Sequence, residues 1–183
     1  MQEPISGASE SDALPGFGPT GQCLLGISKL ASLTGGLIFM GLVVMSIVSI
    51  TGRKLFSMPV PGDVEMLQVC SAFAASTFFA YCHLHGGDVK VDFFTTSARP
   101  STVHLLDALG STLFGLVGAL IAWRTTLGVL TVKEAGETTM ILGWPLWIGQ
   151  MLMVPGFVLM ALAGFYMAGL HLIERTRLAG EKA

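Results

Sequence analysis

The clearest pattern in the chain is a run of 21 residues without a charged side chain, from Leu30 to Ile50. Lys29 precedes this run, and Arg53 and Lys54 follow it. About 20 apolar residues in an α-helix cross a membrane hydrocarbon core of roughly 30 Å. A helix in a soluble protein of this size rarely stays apolar on every face for so long. The pattern therefore predicts a transmembrane helix over about residues 30–51.

Three further apolar stretches predict three more transmembrane helices, over about residues 64–84, 102–127 and 145–173. The last of them lies within 36 consecutive positions, 138–173, that contain no Asp, Glu, Lys or Arg. The segment PVPG at 59–62 cannot be helical throughout and separates the first two helices. The chain is therefore predicted to be an all-α integral membrane protein with four transmembrane helices.

We expect these helices to form one membrane domain over residues 23–175, with a tail on either side. Residues 1–22 are rich in Gly, Pro and Ser and contain three acids and no base, which is typical of a disordered segment. Residues 176–183 form a short charged tail. An even number of crossings places both termini on one side. Six Lys and Arg residues on that side, against four on the other, favour cytoplasmic termini.

The overall composition supports a lipid-covered protein. Hydrophobic residues make up 52% of the chain and charged residues only 12%, whereas an average soluble domain carries about 25% charged residues. So few charges cannot coat a water-facing surface of this size, which excludes a soluble catalytic domain. The net charge of −2 excludes a basic surface for nucleic acid. The three widely spaced cysteines indicate neither a disulfide framework nor a zinc site.

Two predicted helices carry small residues at every fourth position, which lets another helix approach closely. These stripes are Ala72, Ser76 and Ala80 in the second helix, and Ser111, Gly115 and Ala119 in the third. They predict tight helix packing, within the chain or against a second subunit.

Histidines raise the question of a bound cofactor, because b-type haem is held by histidine pairs between membrane helices. His83, His104 and His171 lie near predicted helix ends, on the side of the termini. The chain has no H-x-x-x-H pair and no two histidines at mid-membrane depth. We therefore expect neither a cofactor nor a metal ion, and a haem-binding anchor subunit of a redox complex stays the second hypothesis.

Arg53 and Glu65 flank the connection between the first two helices, each within about a turn of the membrane edge. They are either solvated boundary charges or a pair, within the chain or to a partner, that fixes this hairpin. No ionisable residue lies near the centre of a helix, and no catalytic or phosphate-binding motif is present. The absence of such residues and motifs counts against an enzyme. It also counts against a third hypothesis, in which the chain is a small exporter that works without other subunits, as an oligomer.

The order and spacing of several short motifs resemble the small permease subunit of tripartite ATP-independent periplasmic (TRAP) transporters. The motifs are Arg53, PGD at 61–63, EML at 65–67, GDVKVD at 87–92 and GWPLW at 143–147. Two positions depart from the family pattern. Asp88 stands where the family commonly has His, and Met66 interrupts an acidic-then-leucine motif.

The resemblance implies a non-catalytic subunit of a sodium-driven importer of organic acids in the bacterial inner membrane. In such transporters a soluble periplasmic protein captures the solute, and a large membrane subunit carries the substrate and sodium sites. The four-helix small subunit packs against the large one as part of its scaffold. For this chain, the resemblance points to Arg53, Glu65 and Asp92 as candidate residues of the interface with these partners.

Overall fold

The computed structural model describes residues 18–58, 60–87 and 100–180. They form four α-helices: α1 (Pro19–Phe56), α2 (Asp63–Leu84), α3 (Pro100–Ala135) and α4 (Leu146–Gly180). All four are long and apolar enough to cross a membrane. The predicted all-α membrane fold is therefore confirmed, while Asp92 lies outside the described residues.

The helices extend beyond the charge-free segments that predicted them. α1 begins at Pro19, eleven residues before Leu30, so it includes Lys29 and the last residues of the expected tail. Proline suits a first helical position because the amide that it lacks has no partner there. The 38 residues of α1 extend over about 57 Å, well beyond a hydrocarbon core of roughly 30 Å. Charge-free runs locate the membrane crossing, whereas a helix can continue into the headgroups and water.

The helices pack in a row rather than around one closed core. The backbone of α4 packs against those of α3 and α2, and α1 lies against α2 with a small contact to α4. Side chains of α2 and α3 also meet at one end of the row. Of the most apolar 18-residue window in each helix, 39% is buried in α4 and only 17% in α1. α4 is therefore the central helix and α1 the peripheral one.

Glycine allows α3 and α4 to approach closely. A Cβ atom at Gly164 of α4 would lie 2.5 Å from the backbone nitrogen and 2.6 Å from the Cα of Gly115 of α3. One turn further along α3, a Cβ at Gly118 would lie 2.9 Å from the backbone nitrogen of Ala161. Ser111 and Gly115 of the predicted stripe are buried. Their partner is α4, so the packing predicted for this stripe is confirmed.

α2 uses small residues on two sides. Ser76 and Ala80 of its predicted stripe are fully buried, and a Cβ at Gly156 of α4 would collide with Ser76. On the other side, a Cβ at Gly35 of α1 would lie 3.3 Å from the Cα of Ala74. α2 is thus held between α4 and α1.

α1 carries a seven-residue repeat of buried positions that was not predicted from the sequence. The buried residues of α1 recur at every seventh position: Gly21, Ser28, Gly35, Leu42 and Ser49. A seven-residue repeat keeps one face of a helix against its neighbour in a left-handed crossing. Here the repeat is made mostly of Gly and Ser, so the usual search for a stripe of large apolar residues does not find the buried face.

Because Gly164 and Gly115 lie so close together, one methyl group added at Gly164 should destabilise the packing of α3 against α4. Gly164→Ala should lower the unfolding free energy in detergent by about 1–3 kcal/mol, because the new Cβ has only backbone to displace. Gly169→Ala in the same helix is the matched control, since a Cβ there meets nothing within 4 Å. Thermal unfolding of the two purified variants checks this. Equal midpoints for both variants would contradict the proposed close approach.

Candidate functional site

Among the described residues, the polar contacts between different helices and connections are grouped at the two ends of the row. We call the end with the α1–α2 connection (57–62) and the α3–α4 connection (136–145) the hairpin end. The opposite end, where α1 and α3 begin and α2 and α4 finish, is the termini end.

At the hairpin end, the α1–α2 connection turns through two residues with positive φ. Ser57 follows α1 in the left-handed region, with φ 54°, and the amide of Met58 donates to the carbonyl of Gly52 over 3.2 Å. Gly62 precedes α2 with φ 77°. A Cβ at Gly62 would lie within 2.8 Å of the side chain of Leu142. Glycine is therefore required here by both backbone conformation and space.

Asp63, the first residue of α2, holds this hairpin together. The hydroxyl of Ser49 in α1 donates to Asp63 Oδ2 over 2.5 Å, and the amide of Val60 donates to that hydroxyl over 3.4 Å. Arg53 forms an ion pair with the same Oδ2 at 3.4 Å, but its side chain is 61% exposed. An ion pair this open to solvent contributes little to stability. Among the described residues Arg53 thus has one weak ion-pair partner, and most of its side chain is exposed to solvent.

Among the described residues Glu65 does not pair with Arg53, so the interpretation of the two as a pair within the chain is wrong, whereas a pair with a partner stays a prediction. Its carboxylate accepts hydrogen bonds from the amide of Ile141, at 2.8 Å, and of Leu142, at 3.1 Å. The anion thereby ties the first turn of α2 to the α3–α4 connection. Sequence reasoning missed these partners because backbone amides carry no residue-type signal.

The α3–α4 connection is itself a tight turn. The amide of Thr139 donates to the carbonyl of Trp144 over 2.8 Å, and the amide of Trp144 donates to the hydroxyl of Thr139 over 3.0 Å. This turn projects apolar side chains from its tip, where Met140 is fully exposed and Ile141 is 61% exposed. Glu65 thus determines where an exposed apolar tip lies.

At the termini end the three histidines named from the sequence lie on three neighbouring helices. His83 of α2 is buried and its ring stacks on Phe114 of α3, with centroids 4.1 Å apart. The rings of His104 in α3 and His171 in α4 have centroids 6.1 Å apart. Asp107 joins the latter two, and one possible ligand atom from each of the three lies within 4.8 Å of the others.

This group of three was not predicted, because His171 comes from a different helix than the other two. Its one sequence signal is H-x-x-D at 104–107, which places both side chains on one face of α3. Within the part of the chain that the structure describes, nothing supports the haem hypothesis. The three ligand atoms converge on a space suited to a single ion rather than a macrocycle.

Glu65→Gln should loosen the α3–α4 connection. An amide side chain keeps one oxygen but presents an NH₂ group to the other backbone N–H, so one of the two hydrogen bonds is lost. Hydrogen–deuterium exchange in detergent should then become severalfold faster at Ile141 and Leu142, with little change in the middle of the helices. Glu137→Gln, which removes an exposed charge from the same connection, is the control and should leave exchange unchanged. Equal exchange in both variants would show that Glu65 does not hold this turn.

Comparison with known proteins identifies the family of this chain. Residues 42–173 match the family described as tripartite ATP-independent periplasmic transporters, DctQ component. No curated protein and no solved structure matches the chain. The matched segment runs from the second half of α1 to the last third of α4, and so includes the whole of α2 and α3. The chain therefore belongs to the DctQ family and is a small membrane subunit of a tripartite ATP-independent periplasmic transporter.

Proposed function

We propose that this chain is the non-catalytic subunit of a sodium-coupled importer of organic acids in the bacterial inner membrane. Its helices extend the fixed scaffold of the large permease subunit, and a periplasmic solute-binding protein delivers the substrate. The family match over residues 42–173 carries the proposal. Sodium coupling and the organic-acid substrate class rest on the resemblance described above.

The interior of the row supports a role without a substrate site of its own. The hydroxyls of Ser76, Thr77 and Thr126 donate to carbonyls of their own helices, at 2.7 to 2.8 Å. A hydroxyl used in this way has no free proton to donate to a solute. Secondary transporters bind their substrates near the middle of the membrane, at polar groups and broken helices. α4 continues through its internal Pro155. These features support our proposal that substrate and ions bind to another chain of the transporter.

The open arrangement supports a scaffold role. A row of helices leaves two broad faces, and α1 exposes large apolar side chains over most of its circumference, among them Leu33, Leu37 and Met40. In a membrane such faces pack against lipid or against another apolar subunit. We propose that the large permease subunit covers one of them and lipid the other.

We propose further that the hairpin end faces the periplasm, with the termini in the cytoplasm. There Arg53 offers an exposed positive charge beside Asp63, at the same end as the apolar tip that Glu65 positions. A charge and an apolar tip at this end are suited to contact the docked binding protein. Asp92 lies outside the described residues, and it stays a proposed residue of the interface with the large subunit or the binding protein.

Co-expression with the large permease tests the proposed partnership. The chain should co-purify with that subunit in detergent. Sodium-driven uptake of dicarboxylates, keto acids or sialic acid should require both membrane subunits and the binding protein. Uptake that survives deletion of this chain, with no association between the two subunits, would overturn the proposal.

Arg53→Glu tests the hairpin end in the assembled transporter. Reversal of the charge should leave co-purification with the large subunit intact and lower uptake at subsaturating binding protein by at least about tenfold, because opposite charges guide docking. Lys54→Glu makes the same change at the next residue, which also is exposed, and should have a much smaller effect. Equal uptake by the Arg53 variant and the wild type would exclude this residue from docking.

A further inference from the structure

One group of side chains has no part in the proposed function. His104, Asp107 and His171 converge at the termini end, where α3 meets α4. We propose that these three residues bind a divalent transition-metal ion of the zinc class, and that the ion clamps α3 to α4.

The spacing of the ligand atoms fits such an ion. His104 and Asp107 are three positions apart and so lie on the same face of α3, and His171 faces them from α4. The candidate ligand atoms lie within 4.8 Å of one another. Ligands placed about 2.0–2.2 Å from a tetrahedral zinc ion are about 3.4 Å apart. Small side-chain rotations close the difference, because the three atoms already lie near one another.

The surroundings of the histidines also favour coordination. His171 is only 5% exposed, and His104 Nδ1 is a buried nitrogen without a hydrogen-bond partner. A buried polar atom that lacks a partner costs free energy, and binding of the imidazole to a cation compensates for such a cost. If His104 served only to pack against its neighbours, the free-energy cost of burying this nitrogen would not be compensated.

A cavity beside the group gives the ion access and room for a fourth ligand. Its volume is about 240 Å³, and Asp107 and His171 form part of its wall. Gly86, in the turn after α2, also lines it, so the cavity lies at the end of the row and not in its middle. Water from the termini side can thus complete a coordination shell that has three protein ligands.

The ligand types select the class of metal. Two imidazoles and one carboxylate suit zinc and its neighbours among the divalent transition metals. Calcium and magnesium prefer shells made of oxygen atoms alone. Since the ligands come from two helices, a bound ion joins the start of α3 to the end of α4. It thus reinforces a helix pair that glycine contacts hold together deeper in the membrane.

Equilibrium dialysis tests the proposal. The full chain, purified in detergent without a polyhistidine tag and stripped with a chelator, should bind about one Zn²⁺ per molecule. Asp107→Asn, which keeps the side-chain shape, should weaken zinc binding at least about tenfold. Loss of a residue that only supports a ligand already costs about 10–100-fold in metal affinity. His85→Ala is the matched control, since it removes an exposed histidine at the same end, and should leave the affinity unchanged.

A second measurement separates ligand loss from misfolding. Zn²⁺ should raise the unfolding temperature of the wild type and of His85→Ala, but not of Asp107→Asn or His104→Gln. Circular dichroism should show that all four proteins are equally helical. Zinc binding that is equally tight in the wild type, Asp107→Asn and His104→Gln would overturn the proposal. So would a wild type that binds no zinc at stoichiometric level.

Discussion

The structure depends on the close approach of helix backbones at small residues. In the hydrocarbon core each helix satisfies its own backbone hydrogen bonds, and lipid is as apolar as leucine, so burial of large side chains gives helices little reason to associate. Dispersion between closely packed atoms remains, and it requires glycine, alanine or serine at the contact. Gly115 against Gly164, and Gly156 against Ser76, are the positions at which this chain meets that requirement.

This constraint also explains where the polar groups lie. Backbones that pack this closely leave no room for water or ionised side chains between them. The buried hydroxyls of Ser76 and Thr77 bond to their own helices. Charged groups that hold helices to one another are therefore found at the ends. Asp63 joins α1 to α2, and Glu65 joins α2 to the α3–α4 connection.

The sequence predicted what depends on composition and local spacing. Four apolar stretches gave the four helices, and residues at every fourth position gave the packing faces of α2 and α3. The starts and ends of the helices were less accessible, because a helix such as α1 continues past a boundary charge like Lys29. The partners of Glu65 were inaccessible for another reason. They are backbone amides 76 and 77 positions away in the sequence. The group of His104, Asp107 and His171 was inaccessible because it depends on the contact between α3 and α4.

The peripheral position of α1 bears on how such a subunit can recognise its partner. Its exposed leucines and methionines carry no penalty in a membrane, so they gain little by exchanging lipid for another apolar surface. Apolar area can hold two membrane subunits together only where shapes match closely, and it distinguishes poorly between related partners. Charges at the membrane boundary do distinguish them, because an unmatched charge is costly there. We therefore propose that the specificity of assembly between the membrane subunits rests on the polar ends of the row rather than on its apolar faces.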